Sequence, residues 1–334
     1  MTFDTIKLDK GLYTSDKGFT SSLEAIDPSE NYKGTELEGL DAYERQLKRF
    51  DIKVKGPKSD PISKFFQTSD SAVLFPEFIT RSVATVVTSK NVVDELIATT
   101  TNIDSMDYRS VQCEAIEPDN AKQSFINEGA FIPETSITLK DKLTTLKKCG
   151  RSFVASYEAI KSQRLDLFSV TLKQIGNYIN TCQLSQAVEV LAEHGTVDIY
   201  TIESKSISYK DFIDIYTALA PYEFNTVIAE TAKFNSILSL DEFRDGAAGL
   251  NMHATGNVIT PYGAKLIHCQ TNLLHNDIVA FDKNYALEKV QLGNPVDIDY
   301  DKIIDRQLER ATVTSTVGFT RIVDKAVLYL AETA

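Results

Sequence analysis

The stretch LDLFSVTLKQIGNYINTCQLSQAVEVLAE, residues 165–193, decides the fold. Phe168, Leu172, Ile175, Ile179, Cys182, Ala187, Val190 and Leu191 recur within it, and that three-and-four spacing is one apolar face of a helix. Asp166 suits the N-cap, where a short carboxylate accepts from otherwise orphaned amides. Gly195 suits the left-handed stop. The predicted helix is roughly 42 Å long at 1.5 Å per residue, well beyond the mean of about 11–12 residues in globular domains. A helix of that length is a strut against which other elements are built.

Upstream, residues 108–116 read as a strand, and Pro118, Asp119 and Asn120 are turn formers. Residues 125–146 return with apolar–polar alternation at Ile137, Leu139 and Leu143. The pair forms a long two-stranded excursion with too few apolar residues for a core of its own, so something else must support it. Residues 74–100 read as two short helices or one broken helix, with Pro76 suited to a first turn. Residues 1–66 are polar, with one helical signal. Thr35 and Glu38 match a capping box, and Leu37, Leu40, Tyr43, Leu47 and Phe50 follow at helical spacing. So narrow a stripe needs a partner surface, from this subunit or another. With residues 53–61 as an extended linker, the segment reads as an arm rather than a domain.

Downstream the pattern becomes α/β. Residues 209–220 predict a helix stopped by Pro221, residues 226–230 a strand and residues 232–240 a helix. Residues 265–269 and 277–281 predict strands. Residues 295–299 and 311–323 are rich in Thr and Val and therefore strand-like, residues 301–309 are a candidate helix, and residues 327–330 a terminal strand. The fold class is α+β.

The 334 residues are 43% hydrophobic and 25% charged, ordinary for a globular chain. Lys+Arg 35 against Asp+Glu 47 leaves a formal net charge of −12, which argues against nucleic acid held in a basic groove by counterion release. No apolar run approaches the ~18–20 residues of a membrane span, and the N-terminus lacks a secretory apolar stretch. Synthesis in the cytoplasm is expected, with no membrane partner. Cys113, Cys149, Cys182 and Cys269 form no C-x-x-C pair and read as small buried hydrophobes. Among His194, His253, His268 and His275 no two share the i, i+4 spacing of a helical ligand pair, so no metal or cofactor is expected. Phosphate-loop, dinucleotide, zincin and nucleophile-elbow motifs are absent from the sequence. No catalytic residue is expected.

Several stretches carry a resemblance when taken in order. They are Leu74-Phe75-Pro76-Glu77-Phe78; Phe125-Ile126-Asn127-Glu128-Gly129-Ala130-Phe131-Ile132-Pro133; Lys147-Lys148-Cys149-Gly150-Arg151 with Ser156-Tyr157-Glu158; residues 278–288; residues 306–310; and Gly318-Phe319. Together with the order of elements, they make residues 70–334 resemble major capsid proteins of tailed bacteriophages, the Hong Kong 97-like fold family. The resemblance implies a long spine helix, an extended β-hairpin called the E-loop, and peripheral and axial domains. It places an N-terminal arm at 1–66 and the helices leading into the peripheral domain at 67–107. The E-loop falls at 108–152, the peripheral domain at 153–206 and 288–320, and the axial domain at 207–287 and 321–334.

The implied function is structural. Copies of the chain would assemble into pentamers and hexamers of an icosahedral shell around packaged double-stranded DNA, bound without sequence specificity. Portal and scaffolding proteins, and possible decoration proteins, would be partners, and the product would reside in the virion after assembly in the bacterial cytoplasm. Intersubunit contacts are expected from Phe125, Phe131 and Ile132 in the E-loop, from Arg306 and Arg310, and from Leu40 and Leu47 in the arm. Crosslinking members of the family use an E-loop lysine, an asparagine and a catalytic glutamate. Lys122 is available, but residues 311–315 hold no acid, so no crosslink is expected. The alternatives are an encapsulin-type nanocompartment shell, or a stand-alone α/β enzyme.

Overall fold

The computed structural model describes residues 5–13, 18–89, 91–113, 128–129, 137–193, 198–202, 207–244, 258–260, 262–270 and 278–332. In chain order the helices are α1 (Phe19–Ile26), α2 (Ala42–Arg49), α3 (Ser69–Ala72), α4 (Leu74–Val87), α5 (Tyr157–Ser162), α6 (Leu165–Leu191), α7 (Tyr209–Ala218), α8 (Thr231–Leu238), α9 (Asp241–Arg244) and α10 (Lys283–Ala286). The strands are β1 (Thr99–Ile103), β2 (Val111–Cys113), β3 (Ile137–Leu139), β4 (Lys147–Ser156), β5 (Asp198–Ile202) and β6 (Thr226–Glu230). They continue with β7 (Lys265–Cys269), β8 (Ile278–Phe281), β9 (Leu287–Leu292), β10 (Asp297–Ile303), β11 (Leu308–Arg321) and β12 (Val327–Glu332).

The chain divides into two compact units. The first comprises Met1–Ser89, Cys149–Ile179 and Asn294–Ser315. Its core is aromatic. Phe75 stacks on Phe168 at 6.0 Å between centroids, Phe153 meets Phe168 edge-on at 5.0 Å, and Phe65 lies 5.6 Å from Phe75. Offset and edge-on pairs of this kind add to plain area burial. Gly176 lets α6 approach α4 closely, since a Cβ there would meet the Val86 Cβ at 2.9 Å. Strands β10 and β11 pair antiparallel here, from Asp297↔Thr314 to Ile303↔Leu308. The candidate helix at 301–309 is therefore corrected. Ile298 and Tyr300, on one face of β10, pack on the core, and the ladder runs on to Ile303 opposite Leu308.

The segment 1–66, expected as an arm whose narrow stripe needs a partner surface from this subunit or another, contributes to this unit's core. Ile6, Leu8, Phe19, Leu23, Tyr43, Leu47, Ile52, Ile62 and Phe65 are all buried in this unit's own core. The stripe found its partner within the chain. The helix also starts later than its sequence signature. Thr35 Oγ1 donates to the Tyr32 carbonyl in a turn (2.7 Å). The capping box is instead Asp41 with Glu44, Asp41 Oδ1 accepting from the Glu44 amide at 2.8 Å. In α6 Asp166 lies inside the first turn, because the helix begins at Leu165. Gly195 is outside the described residues.

The second unit comprises Lys90–Lys148, Asn180–Gly293 and Thr316–Ala334. It holds a five-stranded mixed sheet in the order β5-β12-β8-β6-β7. Successive side chains face opposite sides of a strand, and here both sides are covered. Ile228, Val279 and Tyr329 pack with Ala187, Val188 and Leu191 from the end of α6. Val227, Ala229, Ala280 and Leu330 pack with Phe212 and Ile215 of α7. In this unit β1 also runs parallel to β9 (Thr99↔Glu288), and β9 runs antiparallel to the second half of β11. The threonine-rich stretch 99–102, read as the end of a helical region, is thus a strand.

Candidate assembly surface

Strands β2 and β3 form a two-stranded antiparallel ribbon with Val111 opposite Leu139 and Cys113 opposite Ile137. Directly opposed residues share a face, so this face is apolar, and the other carries Gln112 and Thr138. It is also bare: Ile137 is 67% exposed, Leu139 65% and Val111 38%. Met106 and Leu143 near the root are exposed as well. An isolated hairpin is marginal in water, and one that turns its apolar face outward is unfinished.

The root of the ribbon is polar and closely bonded. Glu288 is the second residue of β9 and is 4% exposed. Oε1 accepts from Thr101 Oγ1 at 2.5 Å and from the Tyr108 hydroxyl at 2.7 Å, and Oε2 accepts from Ser110 Oγ. Burial and the neighbouring Glu288 carboxylate push the Tyr108 phenol above its ordinary value. On the returning strand Lys140 Nζ donates to Thr320 Oγ1 at 3.0 Å and to the Arg321 carbonyl. Burial pulls the Lys140 ammonium below its usual pKa, against the attraction of Asp324 and Glu288. Beside the root lies an open cleft of about 890 Å³ lined by Lys140, Lys142, Lys147, Glu189, Glu193 and Arg321. Its charges are mixed, and Lys147 and Glu189 pair at 2.6 Å.

The residues expected at intersubunit contacts fare differently. Phe125, Phe131 and Ile132 lie outside the described residues. Arg306 is exposed on the 3-10 turn Ile304–Arg306. Arg310 pairs with Asp301 of its own chain at 3.2 Å across the β10–β11 ladder. Both groups are largely exposed, so the pair is worth little. Leu47 is 7% exposed in the core of the first unit, which leaves it no surface for a neighbour; it is corrected from contact to core. Leu40 is half-buried.

Sequence reasoning missed Glu288 and Lys140. A Glu-Lys pair opening a short run gives no periodic or motif signal, and only the pairing of distant strands assembles the three hydroxyls. His268 bonds Thr231 Oγ1 at 2.8 Å through Nε2. Among the described residues no group of histidine, cysteine and carboxylate side chains is placed to hold a metal, and no helix is long and apolar enough to cross a membrane.

Among solved structures that resemble this chain is a virus-like particle from Pyrococcus furiosus. Its TM-score is 0.52 at 12% identity, covering 76% of this chain and 98% of that one. The capsid of the Cyanophage P-SCSP1u scores 0.51 at 10% identity, covering 73% and 88%. The capsid of a native GTA particle scores 0.50 at 11% identity, covering 71% and 89%. No family model matches the sequence, and no curated protein does.

Proposed function

We propose that this chain, which has the Hong Kong 97-like capsid fold of its structural neighbours, is a phage major capsid protein. In this reading it is structural rather than catalytic. Its copies form pentamers and hexamers of an icosahedral shell that encloses packaged double-stranded DNA. The shell starts from a portal and a scaffolding protein, can carry decoration proteins, and ends in the virion after assembly in the bacterial cytoplasm. The peripheral and axial domains and the E-loop follow the boundaries that the sequence resemblance implies.

The observation that carries the reading is the apolar face of the β2–β3 ribbon. One copy leaves Val111, Ile137 and Leu139 in water, and a neighbouring copy supplies the missing surface. A network of such contacts buries more per subunit than a standard ~1,600 Å² interface. The negative charge of −12 is compatible with a container filled mechanically, because its walls do not hold the DNA.

Electron microscopy and sedimentation of the purified chain test the proposal. Closed particles, or capsomers of five and six copies, are expected. A stable monomer at high concentration, with β2 and β3 protected from solvent by their own chain, would overturn it. The Pyrococcus furiosus particle favours a second reading, a shell without a viral genome. Neighbouring genes separate the two: terminase and portal genes accompany a phage capsid, a cargo enzyme the alternative.

A further inference from the structure

The root of the ribbon is fastened by polar side chains. The five-stranded sheet of the same unit is held mainly by apolar packing on both faces, with Asp282 as another buried carboxylate, bonded by Asn225 and backbone amides. At the root a carboxylate is buried and fastened by three hydroxyls from two separate places, Thr101 on β1 and Tyr108 and Ser110 on the strand entering β2. Burying a carboxylate is costly unless its oxygens are bonded, and an aliphatic side chain would fill the site at less cost. What hydroxyl bonds give in return is geometry, because they weaken steeply away from their preferred distance and angle.

The two arms are fastened separately. The entering arm is held to β9 through Glu288, and the returning arm is held to β11 through Lys140. They are also tied to each other, the Lys140 amide donating to the Ser110 carbonyl and the Thr144 amide to the Tyr108 carbonyl, both at 2.9 Å. The two arms are therefore joined at the root. Residues 104–107, which link β1 to the entering arm, are all exposed.

We propose that Glu288 and Lys140 form a two-point polar clamp that sets the angle at which the ribbon leaves the sheet. Glu288 is a positioning residue, acting through Tyr108 and Ser110. The charged groups around the clamp are Lys140, Arg321, Asp324 and Glu193. The clamp lies within one chain, so it stands or falls separately from the shell reading.

Hydrogen–deuterium exchange on the full-length, unassembled chain tests it. In Glu288→Gln an amide NH2 group replaces one acceptor oxygen and cannot accept from a hydroxyl. Amides of residues 108–113 and 137–140 should exchange about tenfold faster, equivalent to about 1.4 kcal/mol, while amides of β6 and β8 keep their protection. Lys140→Met should loosen residues 137–140 more than 108–110. Should Glu288→Gln fail to fold, Ser110→Ala removes a single donor and should raise exchange at the root by a few-fold. Unchanged exchange at the root overturns the proposal. So does a rise of equal size in β6 and β8, since a merely structural buried group would loosen the whole unit.

Discussion

Among the described residues Arg45 is the largest side chain that the fold buries completely. Its Nε donates to Asp27 Oδ2 at 2.8 Å, and Nη1 donates to Ser29 Oγ at 2.8 Å and to the Leu40 carbonyl at 2.7 Å. Nη2 reaches the Asp27 carbonyl, and the guanidinium lies 4.5 Å from the Tyr32 ring centroid. Asp27 is itself buried at 2% exposure, so the pair must be broken or kept as a whole. Arg45→Met leaves a buried carboxylate without its counter-charge and should cost about 3–5 kcal/mol, measured by urea unfolding of the unassembled protein. Arg45→Lys should recover little, because a point charge cannot serve a planar fork. Glu24 lies at the edge of the same network. Burial opposes its ionisation, but hydrogen bonds from Ser29 and Ala42 and the charge of Arg45 outweigh it, and hold the carboxyl below its ordinary 4.5. Its folded pKa is thus depressed. The stability it contributes is complete above about pH 4.5 and is lost as pH falls through the folded value. Glu24→Gln should flatten the acid limb of an unfolding-midpoint profile between pH 5 and 3 without changing the midpoint ranking of other variants. None of this shows in the sequence. Arg45 sits on the charged side of a narrow stripe, where periodicity assigns it to solvent, and only the return of residues 24–29 across α2 buries it.

The elements were legible in proportion to their own periodicity. The run from Phe168 to Leu191 declares α6 because its apolar positions keep helical spacing throughout, and six of its eight sequence-marked positions are buried. Strand β1 is different. Thr99, Thr100 and Asn102 are exposed polar residues at the rim of a sheet, and their strand state comes from the β9 backbone rather than from side chains of their own. Strand β10 shows alternation only as far as Tyr300, after which Asp301 and Lys302 obscure it. The β2–β3 ribbon was legible as an unsupported excursion, and its exposed face yields a prediction. Ile137→Ser with Leu139→Ser touches nothing buried in a single copy, so the thermal midpoint of the unassembled chain should move little, within the ±0.5 kcal/mol usual for surface sites. Particle formation seen by electron microscopy should be lost. Intact particles from the double variant would show that this face is not what a neighbour covers.

For the whole molecule, two features set the expected behaviour. The first is that the segment 1–66 supplies buried side chains to the core of the first unit. Removing them strips Phe19, Leu23, Tyr43, Leu47, Ile62 and Phe65 from the first unit, so a chain starting at residue 67 should be insoluble or bind a hydrophobic dye, as measured by dye fluorescence and exchange. An arm that only reached a neighbour would leave a soluble, folded remainder. The second feature is charge. Every copy carries −12, and copies that meet through an apolar ribbon do so against mutual repulsion. Screening lengths fall from about 30 Å at 0.01 M salt to about 10 Å at 0.1 M, which removes most of that repulsion and leaves burial of the ribbon face intact. The assembled fraction, followed by light scattering at fixed protein concentration, should therefore rise over that range. If complementary ion pairs held the contacts, the same screening would weaken them and the fraction would fall. The sign of this salt dependence thus separates apolar closure against charge repulsion from electrostatic docking, without any substitution that could disturb the fold.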